Sequence, residues 1–275
     1  MNRQDPQKRN VDTMLNYYRD PGDGTPPLPV YVGGGTVTNG RPVIPIPMTI
    51  HDISGEESKY TLSNHGFQLV RHQSQEDQFR IDKRVKEEYY RECEVLIKAV
   101  TGGTRAHVFG HQVRRGPSNW HSLGKGNASI KGPLHRVHID QSYDGAELVL
   151  RKLLPDEADE LVKRRWQIIN IWRPINTIYK DPLAVADAYS IPDTDLIPAS
   201  VIYPSYRNET FTVKPNSQHR WYFKNAQRPD EVLLIKCFDS DTTVARRVTH
   251  CAFRDSEMDN RDDRESIEVR CIVFY

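Results

Sequence analysis

The sequence predicts a mainly β protein with flanking helices, folded as a barrel or a double-sheet jelly roll. Three observations support this fold class: many short β-branched and aromatic runs in the second half, turn residues between those runs, and a single long amphipathic helical pattern before them. The chain has 275 residues, which suffices for one large domain with a substantial core. We therefore predict a single domain over residues 1–275.

Three segments are predicted within this domain. Residues 1–80 are rich in proline and glycine, so we expect an extended wrapping segment that ends in first strands near 48–53 and 66–70. Residues 81–135 combine a helix with a loop, and residues 136–275 form the predicted jelly-roll core.

The helix is predicted over residues 82–100. Val85, Tyr89, Cys93 and Leu96 recur at three- and four-residue steps, and the glycines after Thr101 end the pattern. The polar, Gly-rich stretch 114–132 is typical of a mobile loop over a pocket mouth.

Two further helical stretches are predicted after residue 142, from Tyr143 to Leu153 and, more briefly, over 156–164. Between and after them, runs of strand-forming residues alternate with turns. The predicted strands lie at 166–173, 199–203, 209–213, 220–223, 231–238, 248–253 and 266–275.

Composition limits the classes of partner. The formal net charge of +1 provides no field for nucleic acid or an anionic membrane, so we expect a small-molecule partner. Four cysteines lie far apart without a C-x-x-C pair, which indicates reduced thiols and disfavours zinc bound through sulfur. The N-terminus is polar and no apolar run reaches the roughly 18 residues of a membrane span, so a cytoplasmic protein is expected.

A metal site is predicted around His138 and Asp140. On a strand, residues two apart share a face, so this imidazole and this carboxylate can meet at one point. A second histidine would leave three positions of an octahedron open, an arrangement that suits ferrous iron acting on dioxygen. A lone H-x-D pattern also arises often by chance.

The third ligand is predicted to be His250, with His219 as the alternative. His250 stands inside the strand-like run 248–253, whereas His219 precedes Arg220-Trp221 and is expected to be a packed histidine. Whether His219 contributes to the site is left open by the sequence.

Arg264 and Ser266 are predicted to anchor an organic co-substrate. A keto acid that chelates iron leaves a distal carboxylate, which a guanidinium fork binds bidentately and a hydroxyl two residues later can also reach. Arg270 has the same strand parity and is the reserve anchor. The competing interpretation of Arg264 is a surface arginine in the charged run 259–265.

Substrate contacts are predicted for Arg136, Arg173 and His107. The two arginines could bind a substrate carboxylate, although each could equally be a structural ion-pair partner. His107 and His111 are four residues apart, and residues with that spacing share a strand face. Either histidine is therefore a candidate for contact with the site.

The pattern H-x-D, distal His and Arg-x-Ser resembles that of the Fe(II)/2-oxoglutarate-dependent oxygenases. More extended blocks resemble the AsaB/CmcJ-like hydroxylase/desaturase family of fungal secondary-metabolite clusters, and the resemblance covers nearly the whole chain. These blocks are residues 101–105, 136–142, 169–175, 182–187, 230–240 and 266–270.

The resemblance implies a double-stranded β-helix, a jelly-roll or cupin-like fold, with Fe(II), 2-oxoglutarate as co-substrate and O2. It also implies oxidation of an unactivated C–H bond in a small, amino-acid-derived metabolite. The outcome would be hydroxylation, desaturation or oxidative ring closure, such as aziridine formation on valine. The sequence leaves the prime substrate and the oligomeric state open.

Two other functions remain compatible with the residues alone. One is a non-catalytic small-molecule-binding β-barrel, and the other is a zinc-dependent hydrolase, because two histidines and a carboxylate also bind zinc. Without the resemblance, the residues support a metal-binding β protein with an anion anchor.

Overall fold

The computed structural model describes residues 8–275, in which fifteen strands form two sheets. The strands are β1 Val11–Tyr18, β2 Val30–Gly33, β3 Thr36–Asn39, β4 Val43–Asp52, β5 Phe67–Arg71, β6 Arg105–Arg114, β7 His138–Ile139, β8 Trp166–Pro174, β9 Leu183–Ala186, β10 Leu196–Ile202, β11 Arg207–Val213, β12 Trp221–Phe223, β13 Glu231–Asp239, β14 His250–Ala252 and β15 Ser266–Phe274.

Ten strands form the larger sheet, in the order β1-β4-β12-β9-β14-β7-β11-β10-β2-β3. The smaller sheet has the order β5-β13-β8-β15-β6. Trp172 and Leu233 of the smaller sheet pack against Leu183 and Val185 of the larger one, so the two sheets share a core. Each sheet therefore has an inner face toward the other sheet and an outer face.

The first helical segment covers the outer face of the smaller sheet. The helix α1 Asp82–Arg84 continues through a π turn, Val85–Tyr89, into α2 Tyr90–Thr101. Gly102 ends α2 in the left-handed region with φ 75°, which confirms the helix and its predicted end. The further helices are α3 Tyr143–Leu153 and α4 Ala158–Leu161, which confirm both predicted helical stretches.

The first 80 residues contain more strand than the sequence analysis predicts. Residues 1–7 lie outside the described residues, but β1, β2 and β3 were not expected, and β4 contains Pro45 and Pro47. Proline is tolerated there because β1 pairs with all of 43–50, whereas β12 pairs with β4 only at 50–52. The wrapping segment is therefore a part of the larger sheet.

The strands of the core also begin before residue 136, where the sequence places the start of the jelly-roll core. The strand β6 pairs with β15 from Arg114 opposite Ser266 to Arg105 opposite Phe274. The register shifts between Arg270 and Cys271, so β6 has a β-bulge that reverses which face its residues occupy. The smaller sheet thus includes two strands from before residue 136.

No helix among residues 8–275 is long and apolar enough to cross a membrane. The four cysteines are buried and free, in agreement with the prediction of unpaired thiols.

Candidate metal centre and substrate cavity

Three candidate ligands meet where two very short strands pair. His138 on β7 lies directly opposite His250 on β14, and Asp140 follows β7. His138 Nε2 lies 3.3 Å from Asp140 Oδ1, and His250 Nε2 lies 4.0 Å from the same oxygen. One ligand atom from each of the three residues falls within 4.8 Å of the others, so the group could hold a metal ion.

Hydrogen bonds orient each of these side chains. His138 Nδ1 lies 2.8 Å from the carbonyl of Arg136, and His250 Nδ1 lies 3.3 Å from that of Val248. A ring nitrogen that faces a carbonyl must be the donor, so the Nε2 lone pairs remain available for a metal. Asn170 Nδ2 donates to Asp140 Oδ2 at 2.7 Å, which leaves Oδ1 for the same purpose.

The charge states also fit a divalent cation. Burial, together with the neighbouring His138, lowers the pKa of His250 to about 4, so this imidazole is neutral at neutral pH. Burial alone would raise the pKa of Asp140, but the neighbouring His138 and His250 lower it below its ordinary value. Two imidazoles and one carboxylate suit Fe(II), and the same donors also bind zinc.

A buried guanidinium with unmet donors lies beside this group. Arg264 is 3% exposed and its Nη1 donates to the carbonyl of Asp181 at 2.9 Å. Its Nε and the Ser266 Oγ are buried without a hydrogen-bond partner among residues 8–275. Burial and the nearby Arg114 lower the pKa of Arg264 to about 9. A carboxylate would satisfy both orphaned atoms, so the residues fit the distal end of a keto acid.

Asp181 connects this arginine to the loop that follows β6. Its φ of 51° is left-handed, a conformation that aspartate tolerates better than most residues. The carbonyl accepts from Arg264, while the carboxylate accepts from Ser118 and from His135 Nε2. The arginine and the loop are therefore positioned by one residue.

Two adjoining cavities open on the candidate ligands. The inner one has a volume of about 20 Å³ and lies between the three ligands and Arg264. The outer one has about 350 Å³ and is also lined by His138 and Asp140. Arg114 and Glu268 line both cavities, so they stand where the two meet.

Lys131 lies at the base of the loop over the outer cavity, where backbone hydrogen bonds join the two ends of the loop. Its carbonyl accepts from the backbone N–H groups of Arg115 and Gly116 at 3.1 and 3.0 Å. A Cβ on Gly116 would lie 1.8 Å from the Ile130 carbonyl oxygen, so this close approach requires glycine. Trp120 and His121, from the loop itself, also line the cavity.

Comparison with known proteins identifies the family. A family model described as an oxidoreductase/YMDC permease-like domain matches residues 15–274. The hydroxylase/desaturase efuI of Hormonema carpetanum is 38% identical, over 98% of this chain and 96% of that protein. The alpha-ketoglutarate-dependent dioxygenase tstK of Talaromyces stipitatus is 33% identical, over 96% and 97%. The chain belongs to this family of fungal Fe(II)/2-oxoglutarate-dependent oxygenases.

Comparison with solved structures also identifies an iron and 2-oxoglutarate-dependent enzyme as similar. The iron and alpha-ketoglutarate-dependent endoperoxidase NvfI aligns with a TM-score of 0.83 and 26% identity, over 99% of both chains. The predicted double-stranded β-helix, a cupin-like jelly roll, is confirmed. As an Fe(II)/2-oxoglutarate oxygenase, the protein uses Fe(II), 2-oxoglutarate and O2, and this sets aside the binding barrel and the zinc hydrolase.

The structure of this oxygenase brings some of the other predicted residues to the cavity. Arg270 and Arg136 line the outer cavity. The Arg136 guanidinium donates to the carbonyls of Arg41 and Asn39 at 2.6 and 3.4 Å, so part of its hydrogen-bonding capacity is already used.

Two of the predicted or alternative contacts lie elsewhere. Arg173 donates to the Tyr89 hydroxyl and to the carbonyls of His72 and Pro229, on the face covered by α2, rather than to a substrate. His219 uses both ring nitrogens, toward Tyr17 Oη at 2.9 Å and Asp195 Oδ2 at 3.0 Å. The hydrogen-bonding groups of both residues are therefore already paired within the protein.

His107 does not line either cavity. The β-bulge in β6 reverses the alternation between His107 and His111, so the two histidines do not share a face as predicted. His111 Nδ1 instead meets the hydroxyl of Tyr90 at 2.8 Å, on the helix side.

Four cavity or positioning residues of this oxygenase were not identified from the sequence: Asn170, Arg114, Lys131 and Glu268. Glu268 has the parity of Ser266 and Arg270, so a signal for it existed. Burial and the neighbouring Asp140 raise the pKa of its carboxyl group. Lys131 had no comparable signal because it belongs to a loop.

Proposed function

We propose that this oxygenase oxidises an unactivated C–H bond of a small secondary metabolite held in the outer cavity. The outcome would be hydroxylation, desaturation or ring closure. The amino-acid origin of the substrate, the aziridine outcome and the cytoplasmic location stay predictions. A net charge of +1 offers nothing to attract nucleic acid or an anionic membrane, so a small molecule is the expected partner.

The proposal assigns His138, Asp140 and His250 as the iron ligands, with Arg264 and Ser266 as the anchor for 2-oxoglutarate. The observation that carries this assignment is their common cavity: the three ligands and the buried Arg264 surround the same inner space. When bound, iron, 2-oxoglutarate and O2 supply the oxidant that removes a hydrogen atom from the substrate.

The remaining residues hold and shield these groups. Asn170 fixes the Asp140 carboxylate through its hydrogen bond to Oδ2, and the carbonyls of Arg136 and Val248 fix the two imidazoles. Trp120 donates its indole N–H to the Pro133 carbonyl at 2.9 Å, which holds the loop across the outer cavity. This cover limits the access of water to the site.

Sheets, helix and cavity all draw on residues from across the described chain, and we propose one oxygenase domain over 1–275.

A spectroscopic titration tests the assignment. Anaerobic addition of Fe(II) and 2-oxoglutarate should produce a weak visible charge-transfer band in the parent protein, and admission of air should produce succinate. His250→Ala should lose the band, whereas the matched variant His219→Ala should keep it. A parent protein that binds iron but shows neither the band nor succinate would contradict the assigned ligands and the assigned 2-oxoglutarate anchor.

A further inference from the structure

The lysine and arginine side chains that line the outer cavity form no ion pair in the described part of the chain, and Lys131 and Arg270 are two of them. No ion pair within 4.0 Å joins either to a carboxylate in the described part of the chain. Lys131 Nζ donates to Gln112 Oε1 at 2.7 Å, and Arg270 Nε is buried without a partner.

The two cations also repel each other. Burial, together with the charges of Arg114 and Arg270, lowers the pKa of Lys131 to about 8. Like charges that are half-buried and close together are costly unless an anion joins them. The Phe109 ring lies 5.6 Å from the guanidinium carbon of Arg270 and offsets part of its charge.

The acidic residues of the cavity do not fill this role. Asp140 is committed to His138 and Asn170. Glu268 lines the cavity, and the charges of Arg114 and Arg270 act to lower its pKa. It nevertheless forms no ion pair within 4.0 Å among residues 8–275.

Another wall of the cavity is largely apolar. It comes from the β10-β2-β3 end of the larger sheet, whereas the cations lie on the smaller sheet and at the base of the loop. Tyr203 and Tyr206 stack on that wall with centroids 4.2 Å apart. The valines there are Val30, Val32, Val37 and Val201.

We infer that the outer cavity binds a small apolar carboxylic acid, with its carboxylate between Lys131 and Arg270 and its hydrocarbon body against the valine and tyrosine wall. This site is separate from the 2-oxoglutarate anchor, because Arg264 lines the inner cavity and not the outer one. That the bound acid is the oxygenase substrate rests on the proposed function.

Calorimetry with paired probes tests the inference. Octanoate, phenylpropanoate and adamantane carboxylate, each beside its primary amide, are titrated anaerobically into protein holding Mn(II) and saturating 2-oxoglutarate. Occupying the 2-oxoglutarate anchor in advance prevents the probes from binding at Arg264. At least one acid should bind at least about tenfold more tightly than its amide, as expected for a charge-assisted contact.

Charge variants locate the binding site. Lys131→Met and Arg270→Met should each weaken the acid by about tenfold or more and leave the amide unchanged, and Lys131→Arg should restore most of the affinity. Lys125→Met is the matched control, since Lys125 is an exposed lysine of the same loop and does not line the cavity. It should bind every probe as the parent does.

The outcomes separate this inference from the proposed function. If no acid binds better than its amide, or if Lys125→Met weakens binding as much as Lys131→Met, the carboxylate site is wrong. The charge-transfer band with Fe(II) and 2-oxoglutarate reports the proposed function independently. A normal band without acid selectivity therefore overturns the inference alone.

Discussion

Two arginines and two histidines are buried to a similar degree, but only one residue of each pair lines the inner cavity. Arg173 and Arg264 are 2% and 3% exposed, and His219 and His250 are 6% and 3% exposed, so burial does not distinguish them. Hydrogen bonding does. Arg173 and His219 satisfy their donors and acceptors within the protein, whereas Arg264 Nε has no partner and His250 Nε2 faces Asp140 and His138.

The contrast shows how to separate structural from functional polar residues in this fold. A buried polar group that the protein satisfies fixes the packing of its neighbours. A buried polar group left unsatisfied has a cost that persists unless a ligand removes it. Each pair therefore supplies a variant at a proposed site residue and a structural control.

The histidine pair should give the largest effect. His250→Ala removes a candidate iron ligand, so iron affinity should fall by more than about 100-fold and turnover should disappear with the fold retained. His219→Ala should retain iron but lower the free energy of unfolding by about 1–3 kcal/mol, because Tyr17 and Asp195 lose a buried partner. Iron content and chemical denaturation measure both quantities, and the reverse pattern would transfer the ligand role to His219.

The arginine pair should give the next largest effect. Arg264→Met removes a charge-assisted contact, so the 2-oxoglutarate concentration for half-maximal rate should rise roughly 30- to 5,000-fold, which corresponds to about 2–5 kcal/mol. Arg173→Met should leave that concentration unchanged and reduce the free energy of unfolding by about 1–3 kcal/mol. Steady-state kinetics beside urea denaturation would show the difference, and equal effects on 2-oxoglutarate would contradict it.

A smaller effect is expected when a side-chain amide is removed from β8. Asn170→Ala frees the Asp140 carboxylate to rotate, so iron affinity should fall about 10- to 100-fold. Gln167→Ala is the matched control, because Gln167 also donates from β8 to a carboxylate, Asp239 Oδ2 at 2.6 Å, outside the metal site. Competition with a chelator measures the affinities, and similar losses in both variants would argue against a positioning role for Asn170.

The smallest effect is a pH dependence. Lys131 is surrounded by Gln112, Arg114 and Arg270, and the two arginines and burial lower its pKa to about 8. Its charged form predominates below that pH, so the affinity for an ionised acid such as octanoate should fall as the pH rises through about 8. Lys131→Arg should keep that affinity constant over this range, because a guanidinium does not titrate there. A parent profile that is equally flat would contradict a contact from Lys131.

The sequence predicted those parts of the site that depend on local alternation. His138 and Asp140 lie two residues apart, and His250 lies in a β-rich run, so strand periodicity was enough to select them. Arg264 was selected on chemistry, and only the structure reveals the buried donor that supports this choice.

What the sequence could not predict depends on pairing across long distances. The β-bulge that separates His107 from His111 exists because β6 pairs with β15, more than 150 residues later. Pro45 and Pro47 are compatible with β4 because β12 pairs with this strand only at 50–52 and leaves the edge beside the prolines unpaired. Arg173 lies on the outer face, toward α2, and no local pattern identifies that face.

The base of the loop has a consequence for engineering new specificity. Lys131 is fixed where Arg115 and Gly116 close the loop, and Ser118 and Asn127 attach its two sides to Asp181 and Val37. The residues between them, 119–126, include Trp120 and His121 of the cavity wall. We expect replacement of residues 119–126 by loop segments of different length to change the shape of the outer cavity while Lys131 stays in place. This stretch is therefore a suitable point for redesign.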